Sequence, residues 1–300
     1  MSLARAAWSS RSLGSRFQHG CFYLVIGLLG KRAAYALLWP VVSWYVAFSP
    51  TARARAGHYL RRRFPGAGPW FRLRATHRLC LAFGKVLVDR AALGILGAGA
   101  PPPRPEDRRQ LEALLAEGRG LILVTAHVGS WQHAMAALAG LGAPVSVLMH
   151  RDRGDVDRQF YEHRAGAAPF TLLDPDGYLG STLQMLQALH RGEVLCLMGD
   201  RSLGAGTVPV PFLGAPVALP FSSYKLASAT GAPIAVIFPF ERGGRTELEL
   251  ACTLRVPGGL GRRAEAYRPY AEQFSRALER FVAEHPYQFF NFYDLWDPCA

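Results

Sequence analysis

His127 stands in the stretch "LILVTAHVGSWQHAMAALAG", where a run of apolar residues stops and a helix-like pattern resumes at Trp131 and Gln132. An imidazole changes charge near neutral pH and can take a proton from a hydroxyl. Residues 121–126 read as a buried strand, and ligands of open α/β sheets bind just beyond the carboxyl ends of such strands. Gly129 and Ser130 offer a tight turn and an N-cap for the helix that follows. A histidine at a strand end serves packing as often as chemistry, so its position leaves both readings open. A carboxylate occupies a comparable place: Asp200 directly follows the apolar run "VLCLMG". There it is either a site residue or a turn cap.

Other chemistries find less support. Ser222 and Ser223 lack the G-x-S-x-G elbow of an α/β hydrolase. The five cysteines are scattered, odd in number and without a C-x-x-C pair, which speaks against a disulfide framework or a zinc site and implies no cofactor. The net charge of +12 rests almost wholly on arginine, the lysines being Lys31, Lys85 and Lys225. Such a chain prefers anionic partners: acidic proteins, anionic lipid or nucleic acid. No helix-turn-helix, RNA-recognition or zinc-finger pattern accompanies the charge, so nucleic acid is set aside.

From residue 121 onward, short apolar runs alternate with helical segments. "LILVTA", "PVSVLM" (144–149), "FTLL" (170–173), "VLCLMG" (194–199), "IAVIFPF" (234–240) and "ELELACTL" (247–254) read as strands. Helices are expected at 106–117, after His127 through Ala139, around 155–165, at 179–190 and from Ala264 to Glu284. This alternation predicts an α/β domain with a central, mostly parallel sheet flanked by helices. An earlier helix is expected over 72–95, between the breaks "FPGAGPW" and "GAGAPPPRPED".

The amino-terminal part reads differently. Residues 21–48 hold two apolar runs separated by Lys31 and Arg32, with Pro40 inside the second and Trp39, Trp44 and Tyr45 suited to the headgroup level. Arginines flank both ends, and no small-residue cleavage site follows the first run, so neither a clean single span nor a signal peptide fits. A monotopic or hairpin-like insertion on an anionic membrane surface is expected. The chain accordingly divides into a membrane-associated helical segment, 1–70, and an α/β domain, 71–300.

Several segments together resemble one family. "HVGSWQ" resembles the H-x-x-x-x-D/E signature of the glycerolipid acyltransferase superfamily, in the "HxGxWE" form of the lipid A late acyltransferases. "HRAG" (163–166), "LCLMGDR" (195–201), "VPVPFLGAPVALPFSSYKLASATGAPI" (208–234) and "HPYQFFNFYDLW" (285–296) follow in that family's order. The ending looks like the branch associated with less common glycolipids or aryl-polyene lipids.

The resemblance implies an O-acyltransferase that moves a fatty acyl group from an acyl-carrier-protein or coenzyme A thioester to a lipid or glycolipid hydroxyl. It needs no metal or other cofactor and works at the cytoplasmic face of the cell inner membrane. His127 becomes the general base. Arg164, of the second motif, would contact the acceptor's phosphate or the donor's phosphopantetheine. Arg201, where relatives carry glutamine after the Asp200 position, would bind substrate, and Phe212 and Gly214 would shape the groove. The chain departs from the pattern at Gln132, where relatives carry the carboxylate that steadies the imidazolium. Three outcomes follow, ranked in this order: a slower acyltransferase, an enzyme that borrows Asp200 or another carboxylate, or a lipid-binding accessory protein without catalysis.

Overall fold

A computed structural model of the chain describes residues 16–96, 104–130, 138–149, 170–174, 181–201 and 206–297. The strands fall where the apolar runs place them: β1 (Leu121–Thr125), β2 (Val145–Leu148), β3 (Thr171–Leu173), β4 (Val194–Met198), β7 (Ile234–Arg242) and β8 (Arg245–Leu254). They form one sheet in the order β3-β2-β4-β1-β7-β8. The first five are mutually parallel, and β8 closes the edge antiparallel to β7. Between β4 and β7 in sequence lies a separate antiparallel hairpin of β5 (Thr207–Phe212) and β6 (Ala215–Pro220).

Both faces of the sheet are covered, and the alternation of side chains shows it. Ile122 and Val124 of β1, Leu195 and Leu197 of β4, and Val236 and Phe238 of β7 enter one core. Leu121, Leu123, Val194, Cys196, Ala235 and Ile237 enter the other. The second core is roofed by Leu111 and Leu114 of α4 (Pro105–Leu115). The first is roofed by α7 (Arg268–Glu284), whose Phe274, Leu278, Phe281 and Val282 recur at helical spacing and are buried. Each such side chain contributes roughly 1.5–3 kcal/mol of transfer free energy. Two shorter α-helices, α5 (Thr182–His190) and α6 (Ser222–Thr230), also belong to the domain.

Three helices precede the sheet. α1 (Arg16–Phe48) is interrupted at Gly30, whose φ of 78° and ψ of 177° leave the helical region. It runs unbroken past Pro40, and the two apolar runs meet at the glycine beside Lys31, as their separation there leads one to expect. Among the described residues, the segment Gln18–Phe48 is long and apolar enough to cross a membrane by length and composition. α3 (Pro69–Leu96) packs antiparallel along α1, with Ser43 beside His77 at one end and Lys31 ion-paired to Asp89 at the other. α2 (Pro50–Arg63) belongs to the α/β core: Tyr59 and Leu60 are buried there, and Tyr59 Oη donates to the Pro286 carbonyl at 2.9 Å.

The chain after α7 is a strap of little regular structure laid across the end of β1. Gly129 N–H donates to the Gln288 carbonyl (3.0 Å), and Phe290 N–H to the His127 carbonyl (2.8 Å). Gln288 is itself pinned to β7, accepting from Glu241 N–H and donating to the Glu241 carbonyl. Gly129 is required where strap, strand and β7 converge. Its φ is +46°, and a Cβ there would lie 2.0 Å from the Pro239 carbonyl oxygen. Gly129→Ala should therefore cost about 3 kcal/mol or more, read as a lower urea midpoint at unchanged m-value. An unaltered midpoint would mean that the strap has room to shift.

Candidate active site

The register of two neighbouring strands builds the site. β1 and β4 run parallel with Thr125 opposite Met198. Two residues beyond each, at the carboxyl edge of the sheet, stand His127 and Asp200. The Asp200 carboxylate lies 2.9 Å from the His127 Nδ1 through either oxygen, and Oδ2 also accepts from the His127 backbone N–H at 3.1 Å. One carboxylate thus grips both the ring and the main chain of a single residue. An ionised carboxylate only accepts, so Nδ1 carries a hydrogen, and Nε2 is the ring nitrogen not engaged by Asp200. The imidazole is 27% exposed and the carboxylate 1%.

Burying a carboxylate disfavours its charge. Here burial pushes the Asp200 pKa up, but the His127 charge and hydrogen bonds and the neighbouring Arg201 outweigh it. The net result is a group held below the usual carboxylate range, ionised throughout the neutral region.

Arg201 extends along the strap. Its Nη2 donates to the Phe290 carbonyl at 3.3 Å, and its guanidinium lies 4.7 Å from the centre of the Tyr293 ring. Burial and the Asp200 charge raise the Tyr293 pKa against the pull of Arg201, so the phenol stays protonated. Asn291, between these contacts, is 1% exposed, and neither of its amide atoms has a hydrogen-bond partner among the described residues. It offers a donor and an acceptor within the strap that frames His127.

The sequence candidates separate clearly. His127, Asp200 and Arg201 come together. Phe212 is buried in the first core, stacked on Trp296 and edge-on to Phe289 of the strap. Gly214 sits exposed in the turn of the β5–β6 hairpin, with φ of 79°. Gln132 and Arg164 lie outside the described residues, as do the helices expected after His127 and around 155–165. The bonds between the tail segment and the main chain of His127 and Gly129 were not expected from the sequence. The lone amide of Asn291 within "QFFNFY" was the available signal.

Among the described residues no three His, Cys, Asp or Glu side chains gather into a metal-binding cluster. A cavity of about 570 Å³ lined by Arg119, Thr230, Gly231 and Arg255 opens at the amino ends of β1 and β7. That is the edge of the sheet opposite His127.

An α/β protein with an imidazole–carboxylate pair at the carboxyl ends of adjacent parallel strands is of the class that binds its ligand over that edge. Comparison with known proteins narrows the class. Residues 105–297 match the bacterial lipid A biosynthesis acyltransferase family, and the chain belongs to that family. It is 30% identical over 126 residues to a phosphatidylinositol mannoside acyltransferase of Mycobacterium tuberculosis, covering 41% of this chain and 40% of that protein. The protein of the same name from Mycolicibacterium smegmatis is 30% identical over 130 residues, 43% of this chain and 42% of the relative. The chain thus spans about two-fifths of the length of the curated relatives it matches.

A depressed carboxyl pKa contributes stability that is present above the unfolded-state value and lost as pH falls through the folded one. Wild type should therefore be more stable than Asp200→Asn at neutral pH. That difference should shrink as the pH drops below about 4, the ordinary aspartate range. Thermal unfolding of both proteins across that range measures it, and a constant gap would mean that Asp200 is not held ionised by His127.

Proposed function

We propose that this protein is a membrane-associated O-acyltransferase that transfers a fatty acyl group from a thioester of acyl carrier protein or coenzyme A to a hydroxyl of a lipid or glycolipid. The observation that carries the reading is the 2.9 Å contact between His127 Nδ1 and the buried Asp200 carboxylate. With Nδ1 committed to Asp200, Nε2 takes the proton of the acceptor hydroxyl as its oxygen attacks the thioester carbonyl carbon. The tetrahedral intermediate then collapses with cleavage of the C–S bond, and the imidazolium returns the proton to the departing thiolate. Asp200 balances the charge that His127 carries between the two transfers. General-base assistance of this kind contributes about 10²–10⁴-fold.

Family membership and the acyltransferase names of the relatives support acyl transfer to a lipid. The exposed apolar residues of α1, among them Leu28, Leu29 and Trp44, support a membrane-resident acceptor. Location at the cytoplasmic face of the inner membrane goes with a carrier-protein donor, and both are part of the proposal. The alternative, a non-catalytic lipid-binding accessory protein, was motivated by the amide at Gln132. The pairing of His127 with Asp200 favours catalysis over it, because the carboxylate comes from a different strand.

Full-length protein given acyl-carrier-protein and coenzyme A thioesters with a bacterial lipid extract should form an acylated lipid. His127→Ala should abolish product, and Asp200→Asn should lower kcat by about 10²–10⁴-fold with the fold retained. Gln132→Glu should stay within an order of magnitude of wild type. Equal turnover by wild type and His127→Ala would reject the base, while release of free fatty acid without any lipid acceptor would identify a thioesterase instead.

A further inference from the structure

Charge is distributed unevenly along this chain. No Asp or Glu precedes Asp89, while 14 of the 34 Lys and Arg residues do, so the remaining 20 face all 22 acidic residues in the rest. The whole positive excess belongs to the helical front. Much of it surrounds the corner between α2 and α3, "RRRFPGAGPWFRLR", residues 61–74.

That corner is unusual in what it exposes. Trp70 is 83% accessible, and Phe71 and Leu73 follow at 43% and 38%. Arg72 and Arg74 alternate with them and are exposed, and neither meets a carboxylate among the described residues. Large apolar side chains grouped in the exposed first turn of a helix, rather than scattered singly, mark an interaction surface.

The tip is also held firmly. Phe64 packs edge-on to Phe71 with centroids 5.0 Å apart and lies against Tyr287 of the strap. Arg63 caps the end of α7 through the carbonyls of Val282 and Ala283. Trp70, Leu73 and His77 share one face of α3 by their spacing, and His77 meets Trp39 of α1 at 5.8 Å. The exposed Trp39, Trp44 and Phe48 are therefore at the same end of the α1–α3 pair as Trp70.

We propose that the α2–α3 corner is a second membrane contact, in which Trp70 and Leu73 enter the interface of an anionic bilayer while Arg72 and Arg74 engage lipid phosphates. Interleaved cations and aromatics on a preorganised turn suit a headgroup layer, which offers apolar depth below a negative surface. The corner also bears on the active site. Phe83 of the same helix packs against Phe290 and Phe292, and the Phe290 N–H holds the His127 carbonyl. Seating α3 on the membrane thus orients the strap and the imidazole relative to lipid. The inference rests on the membrane association proposed above and adds a specific docking point to it.

Full-length protein is sedimented with vesicles of phosphatidylcholine alone and with about one-third phosphatidylglycerol. Arg72→Gln with Arg74→Gln should weaken binding to the anionic vesicles roughly 10- to 30-fold and leave binding to the neutral ones unchanged. Trp70→Ser with Leu73→Ser should weaken both. As a second reading, Trp70→Phe should remove part of the fluorescence quenching by brominated lipid seen in wild type, without a change in circular dichroism. Wild-type binding by all corner variants, together with loss in Leu28→Ser with Leu29→Ser, would overturn the corner while sparing membrane association through α1. Failure of wild type to bind either vesicle would remove both. Corner variants that keep vesicle binding but lose an acidic acyl carrier protein would replace the bilayer with that protein as the occupant.

Discussion

A buried carboxylate that must stay charged is the constraint to which the rest of this structure answers. Asp200 has almost no solvent, so its charge is tolerable only with partners at hydrogen-bond distance. His127 supplies two of them, one from the ring and one from the backbone. The two residues are 73 positions apart and meet because β1 and β4 are neighbours in parallel register. A slip of that register by one residue would reverse which sheet face each strand side chain meets and carry the two groups apart. The order of strands in the sheet, with β4 and β7 on either side of β1, is therefore also the arrangement of the site.

The strap after α7 adds a second layer of control. Its main chain binds His127 and Gly129, while its aromatic side chains divide between two neighbours. Phe289 faces Tyr59 and Phe212 in the core, and Phe290 and Phe292 face Phe83 of α3. Alternation along one short segment thus joins the sheet, the β5–β6 hairpin and the helical front around one histidine. Gln288 fastens the same segment to β7 through both ends of its amide. An imidazole held through its ring and both main-chain polar groups of its residue keeps little conformational freedom.

Much of the architecture was legible in order along the chain. Each sheet strand lies within two residues of an apolar run, because a doubly covered parallel strand must be apolar on both faces. The helix at 268–284 followed from its spacing of large side chains, preceded by a short 3₁₀ turn over 264–267 that periodicity cannot distinguish from α-helix. The break in α1 was legible too. The sequence divides two apolar runs at Lys31 and Arg32, and the helix yields beside them at Gly30, where backbone freedom is greatest. The placement of α2 was not legible at all. Its arginines suggested a membrane surface, and nothing local announced that Tyr59 and Leu60 of the same helix enter the core of the α/β domain.

Sequence by itself determined the alternation of strands and helices, the acid-free basic front, and the candidate histidine at a strand end, since each is a property of neighbouring residues. Tertiary structure decided which carboxylate serves that histidine. Five residues along from His127 stands an amide, and the charge comes instead from Asp200, across a strand boundary. Hydrogen bonds between distant strands set that pairing, and no local pattern of side chains encodes the order in which strands lie side by side.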